Sequence, residues 1–281
     1  MGVGDILSDT FSRLRERFWG LLGIWAVFAA IMIGGSIAFV AVMGGGIFAL
    51  AGAMQAGAEP GAGVGGGIIL LGVAFYILYL LVAVAQYAAL AAMASPIRND
   101  SFGDAIGTGF RSSPTLLLVM VLFIIGYFIF AVVAGVLFGV LAQAGAAGSI
   151  IAAIALFLAI LYLACRVSIV FPIVPIDGIR NPLTAIGRSW SLTRGHALAI
   201  FLAFLVMSII TVILFAIVFV PMIGSMTSLE AGDLSGLGGS MVFGFFGLIV
   251  ISALVAMAFS AMLASIHARV AGEYRVAETF E

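Results

Sequence analysis

The chain has no lysine; all eleven of its basic residues are arginines. A Walker-type phosphate loop needs a lysine, so that nucleotide site is excluded. Cysteine is almost absent too: Cys165 stands alone in an apolar run and cannot form an intramolecular disulfide. There are two histidines, His196 and His267, and no HExxH or CxxC spacing, which leaves a conventional zinc site without ligands. No GxSxG nucleophile elbow is present. Charged residues make up only 8% of the chain, against about 25% in soluble domains. None of the acidic residues falls inside a long apolar run, so the usual carboxylate of proton or sodium coupling is missing. The formal net charge of -1 gives no basis for nucleic-acid binding. These absences predict a non-enzymatic protein with no cofactor and no metal.

What the chain does have is apolar length. Hydrophobic residues fill 64% of 281 positions. A bilayer core takes about 20 apolar residues per helix. Six runs meet that length: 19–46, 67–94, 115–142, 149–172, 196–222 and 241–267. No short alternating strands of the barrel type occur, so the spans are helices. The fold class is all-α, a polytopic membrane protein forming one integral membrane domain over 1–281. Its N-terminus does not have the pattern of a signal peptide, because the first 17 residues are amphipathic and the apolar run after them exceeds an h-region.

Charge placement orients the spans. With six helices, every arginine from Arg13 to Arg275 falls on or nearest one side. The opposite loops hold Glu59, Glu230 and Asp233 and no basic residue. By the positive-inside rule both termini are cytoplasmic. The outer loops 47–66 and 223–240 are rich in small residues. Residues 61–66 match GxGxxG by letter, but they follow no strand and carry no nucleotide site.

Three segments resemble one another. Asp5–Phe11, Asp104–Phe110 and Thr184–Trp190 each pair a capping-type residue with an aromatic six positions later, and each precedes an apolar hairpin. The expectation is three repeated units of interfacial amphipathic helix plus transmembrane hairpin, arranged around a pseudo-threefold. The units are a helix over 1–18 with a hairpin over 19–94, an interfacial element over 95–114 with a hairpin over 115–172, and a helix over 173–195 with a hairpin over 196–267, followed by a tail over 268–281. In the first helix Val3, Ile6, Leu7, Phe11, Leu14 and Phe18 share a face, and Asp5 is the expected N-cap. Ser101 and Asp104 have capping-box spacing. Asn181 and Pro182 read as N-cap and first helical residue. Two small-residue stripes, Ser252-Ala256-Ser260-Ala264-Ala268 and Ala131-Gly135-Gly139, are expected to pack between helices of the chain.

The stretch 166–196 holds the candidate functional residues: Arg166, then Pro172, Pro175, Asp177, Arg188, Trp190 and Arg194. Arg166 lies eleven residues before Asp177, about 16 Å along an unbroken helix, which would put it near mid-bilayer. Gln86 precedes Phe110 by the same 24 positions that separate Arg166 from Trp190. Arg166 and Gln86 are therefore candidates for a shared polar interior; the other reading of Arg166 is a structural arginine reaching toward the headgroups. The two histidines are expected at helix ends in interfacial roles.

Arg166, Pro172, Asp177-Gly178, Ala185-Ile186 and Arg188-Ser-Trp190-Ser-Leu-Thr-Arg194-Gly195, with Ile6–Phe11 and Arg17-Phe-Trp19, resemble the membrane domain of the glycerophosphoryl diester phosphodiesterase family and related bacterial six-span proteins. The catalytic barrel that gives that family its name is not expected in this chain, so the enzymatic activity is not carried over. The resemblance implies a bacterial inner-membrane protein linked to lipid or envelope metabolism. The function expected is an envelope scaffold or lipid-interacting module, with membrane lipids and a membrane-protein or self partner. The alternative is a transporter or channel for a small or amphipathic anionic solute.

Overall fold

A computed structural model describes residues 2–55, 62–230 and 237–280. Residues 56–61 and 231–236, which include Glu59 and Asp233 of the expected outer loops, lie outside the described residues. Within them the chain is helical almost throughout: α1 (Val3–Glu16), α2 (Phe18–Gln55), α3 (Ala62–Ala94), α4 (Phe102–Ala142), α5 (Ala146–Val167), α6 (Val170–Asp177), α7 (Pro182–Leu192), α8 (Ala197–Glu230) and α9 (Leu237–Phe280). Six stretches are long and apolar enough to cross a membrane: Phe18–Phe48, Gly66–Ala94, Phe102–Ala142, Ala146–Asp177, Ala197–Gly224 and Gly239–Gly272.

The outer surface agrees with a lipid environment. Ile69, Leu70, Phe128, Val132, Val212 and Ile213 all point outward, a distribution that a soluble fold does not sustain. Burial is concentrated toward the arginine-bearing helix ends. Leu21, Ile24 and Phe28 of α2, Ala85 through Ala94 of α3, Leu116 and Val119 of α4, Ile169 through Ile176, and Met257 through Ile266 of α9 supply most of it. Lipid tails are as apolar as these side chains, so close packing rather than the hydrophobic effect holds the helices together.

The capping chemistry explains where several helices begin. Ser101 Oγ accepts from the Asp104 amide at 3.3 Å and caps α4. Asn181 Oδ1 accepts from the amides of Leu183 at 2.9 Å and Thr184 at 3.4 Å, with Pro182 next, and caps α7. In α1 the N-cap is Gly2 rather than Asp5: the Asp5 carboxylate, one turn in, accepts from the Gly2 amide at 3.3 Å.

Several helix boundaries differ from the expected ones: α2, α8 and α9 run on to Gln55, Glu230 and Phe280, past the expected ends at 46, 222 and 267, so most of the expected tail over 268–281 is helical. The sequence separates an interfacial element over 95–114 from a span starting at 115, whereas α4 runs unbroken from Phe102 and contains Pro114. Proline removes the amide that would bond to Phe110 O, and the Ser113 hydroxyl donates to that carbonyl at 3.0 Å instead. Conversely, the span expected over 149–172 divides. α5 ends at Val167, and α6 carries both Pro172 and Pro175, the former within its first turn, where a missing amide is tolerated. Gly178 closes α6 at φ +69°, in the left-handed region that favours glycine.

The segments that lead the three hairpins pack in a consistent sense. α1 lies against α8 and α9. The start of α4 lies against α2 and α3: Phe110 stacks on Phe28 with ring centroids 5.4 Å apart, and a Cβ on Gly109 would stand 2.5 Å from Ala85 O. α7 lies against α4, α5 and α6. Of the small-residue stripes, Ser260 and Ala264 are buried, whereas Ser252 is exposed and Ala256 half-buried. Ala131, Gly135 and Gly139 are exposed, because α4 turns the neighbouring face, with Ala134, inward.

Candidate functional site at the arginine-rich end

Arg166 is buried, with 5% of its surface exposed, and no ion pair reaches it among the described residues. Aromatic faces take the place of a carboxylate. Its guanidinium carbon lies 4.5 Å from the Trp190 ring centroid and 5.6 Å from that of Tyr162, and the two rings meet edge to face at 90°. The negative faces of such rings attract a cation, most strongly when water is absent. Arg166 Nη1 donates to Thr193 Oγ1 at 3.4 Å; Nε is buried with no partner among the described residues. The break after Val167 orphans the last carbonyls of α5. Arg166 O accepts from Ser189 Oγ at 2.9 Å and has Thr193 Oγ1 at 3.2 Å, so α7 completes the end of α5.

Asp177 forms a second centre. Its Oδ2 accepts from Arg188 Nε at 2.7 Å and lies 3.3 Å from His267 Nε2. One carboxylate thereby joins α6, α7 and α9. The His267 ring is fully buried, and its Nδ1 has no partner among the described residues. With the Asp177 carboxylate ionised, the contact requires a proton on His267 Nε2, which donates to Asp177.

Arginines bind the remaining elements of this end. Arg98 Nη1 donates to Pro175 O at 2.8 Å, and Arg98 Nε pairs with Asp100 at 3.1 Å. Arg17 Nη2 donates to Asn99 Oδ1 at 2.6 Å. Arg269 Nε donates to Asp9 Oδ2 at 2.7 Å, tying α9 to α1.

The residues singled out from sequence therefore fall in different places. Arg166 and Trp190 meet, as do Asp177 and Arg188. Pro172 and Pro175 are buried in α6, and Arg194 is exposed in the turn before α8. Gln86 sits half-buried on α3, whose neighbours are α2, α4, α6 and α9; α5, with Arg166, packs against α4, α7 and α8. No hydrogen bond among the described residues joins Gln86 to Arg166. Tyr162 is not among the residues singled out from sequence, although it stands one helical turn before Arg166; Ser189 and Thr193, four apart around Trp190, entered only as letters of the 188–195 motif and not as site residues. The partnership of His267 with Asp177, 90 residues away, left no local signal.

Two cavities flank α6. One, about 420 Å³, lies among α3, α6, α8 and α9 and is lined by Tyr87, Phe171, Phe215, Ala256, Phe259 and neighbouring residues. It extends along α9 from Ser252 to Leu263, about 16 Å of helix. The other, about 160 Å³, is polar and lined in part by Arg98, Arg111 and Arg180. Arg166 borders neither. The chain matches no family model, no curated protein and no solved structure.

Proposed function

We propose that this chain is a non-enzymatic integral membrane protein of the bacterial cytoplasmic membrane, with both termini in the cytoplasm, acting as a lipid-interacting scaffold. The observation that carries this reading is the apolar cavity beside α9. Its walls belong to four helices of the membrane-crossing set and are aromatic or aliphatic apart from a few hydroxyls. The solvent surrounding those helices is hydrocarbon, so the occupant of matching chemistry is a phospholipid acyl chain. Its length of about 16 Å along α9 suits one chain lying parallel to the helix.

Supporting the orientation, the arginines gather at one end of the bundle, the cytoplasmic one by the positive-inside rule. The repeat reading has support in the packing sense: α1 rests on the third hairpin, the start of α4 on the first and α7 on the second, as a pseudo-threefold arrangement requires. The expected resemblance of the 166–196 stretch to a membrane domain that other proteins carry fused to a phosphodiesterase barrel is compatible with an envelope role.

The transport alternative places Arg166 in a water-filled passage. Against it, the guanidinium is enclosed by Trp190, Tyr162 and Thr193. In the test, protein released from membranes with its nearest lipids is weighed by native mass spectrometry. Wild type is expected to retain phospholipid, and Ala256→Trp, which fills the cavity, to lose it while remaining folded. Equal retention by both proteins would refute the cavity as a lipid site. Anionic-solute flux in liposomes that Arg166→Ala abolishes would favour transport.

A further inference from the structure

The smaller cavity differs in chemistry from the rest of the bundle. Three guanidinium-bearing residues, Arg98, Arg111 and Arg180, line it together with the hydroxyl residues Thr108, Ser112 and Thr115. No acidic residue lines it. On α4, positions 108, 111, 112 and 115 recur at helical spacing, so one face of the helix carries them all. The opposite wall is the end of α6 and the turn after it. Gly178 redirects the chain there at φ +69°, and Thr115 Oγ1 donates to Arg180 O at 3.2 Å, which holds the Arg180 backbone against α4.

The hydrogen-bonding account of the three arginines is incomplete within the protein. Arg98 uses Nη1 on Pro175 O and Nε on Asp100, which leaves Nη2 without a protein acceptor among the described residues. Arg111 and Arg180 make no ion pair among the described residues. Elsewhere at this end Arg188 has Asp177 and Arg269 has Asp9, while Arg17 has the Asn99 amide and Arg166 has aromatic rings and a hydroxyl. Here three arginines line one concavity that has no acidic residue in its lining; Arg98 is paired with Asp100, and Arg111 and Arg180 are exposed. Mutual repulsion of like charges makes such a cluster favourable only with an anion or with full hydration. A concave site combining planar multi-donor guanidiniums with hydroxyl donors matches a tetrahedral oxyanion. The volume, about 160 Å³, is several times the ~30 Å³ that one water occupies in the liquid.

We propose that Arg98, Arg111 and Arg180, with Thr108 and Ser112, form a phosphate-binding site at the cytoplasmic membrane surface. The phosphate is carried by a phospholipid headgroup or by a soluble phosphate ester; both present the same oxyanion. Assignment to the lipid rests on the lipid-interacting reading above, whereas the site itself does not.

The test uses full-length protein in detergent and in nanodiscs. In lipid-free detergent, inorganic phosphate and glycerol phosphate are titrated at constant ionic strength, with chloride as the control anion. In nanodiscs, native mass spectrometry counts phosphatidylglycerol retained against a non-phosphate glycolipid. The variants are Arg111→Gln with Arg180→Gln, and separately Thr108→Val with Ser112→Ala, which keeps every charge. Wild type is expected to bind at least one phosphate probe, and each arginine removed to weaken it by about tenfold. The hydroxyl variant weakens it by less, and Arg111→Lys recovers part of the loss. Binding of the soluble probes assigns the site to a phosphate ester; selective retention of phosphatidylglycerol alone assigns it to the headgroup. Phosphate and phosphatidylglycerol binding that are absent, or unchanged in the arginine double variant, overturn the proposal. Ala256→Trp leaves this site intact, so loss of the acyl-chain cavity and loss of the phosphate site are read separately.

Discussion

A guanidinium enclosed with no carboxylate beside it has to be stabilised by something other than an ion pair, and at Arg166 that is two aromatic rings and a threonine hydroxyl. The contacts define a measurable coupling. A double-mutant cycle between Arg166→Met and Trp190→Leu, read from thermal unfolding in detergent, is expected to give about 0.5–2 kcal/mol of interaction. A coupling near zero would mean that the ring and the cation do not interact. At the second centre the two partners of Asp177 are unequal. Arg188 is partly exposed and can be rehydrated, whereas His267 is fully buried. Asp177→Ala is therefore expected to cost about 1–3 kcal/mol and Arg188→Ala less than about 1 kcal/mol. The reverse order in the same unfolding assay would contradict the proposed hub.

Among the elements, α4 best separates intrinsic helix preference from packing. Gly107 and Gly109 lie two residues apart on it. Alanine favours a helix over glycine by about 1 kcal/mol. A Cβ at Gly107 meets nothing within 4 Å, whereas one at Gly109 would stand 2.5 Å from the Ala85 carbonyl oxygen and 2.9 Å from the Ala89 Cβ. Gly107→Ala is thus expected to raise the unfolding temperature slightly, and Gly109→Ala to lower it by an amount corresponding to about 1–3 kcal/mol. Changes of the same sign at both positions would show that α3 and α4 do not approach this closely. The same helix marks the limits of sequence reading. Ser101 and Asp104 announced its start, because capping is a local interaction. The expected boundary between an interfacial element ending at 114 and a span starting at 115 does not occur: the helix continues through Pro114, where the neighbouring Ser113 hydroxyl takes over the carbonyl of Phe110. The span expected over 149–172 breaks between α5 and α6, upstream of both Pro172 and Pro175.

At the scale of the whole molecule, composition alone carried the span count: apolar runs of this length have one stable form in a bilayer, and all six appear as helices. Long-range partnerships were not legible. The repeat pattern marked Trp190 as the aromatic of the third unit without indicating that it covers Arg166, and nothing near Asp177 in sequence announced His267. The Arg98–Arg111–Arg180 cavity joins residues from two parts of the chain that only the fold brings together. Orientation is a property of the entire chain and has its own check. In a Cys165→Ser background, a cysteine replacing Gln143, at the α4–α5 turn, is expected to react with an impermeant maleimide in intact cells, and one replacing Arg194 only after lysis. The opposite labelling would invert the topology.

The central claim, that this bundle holds a phospholipid chain beside α9, is tested most directly by photocrosslinking in the membrane. A phospholipid carrying a diazirine on its acyl chain is activated in the native bilayer, and the adducts are mapped by peptide mass spectrometry. The account predicts adducts concentrated on the cavity walls, at Tyr87, Phe215 and Phe259, and their loss in Ala256→Trp. Adducts spread evenly over outward-facing positions such as Ile69, Phe128 and Val212, unchanged by that substitution, would contradict it.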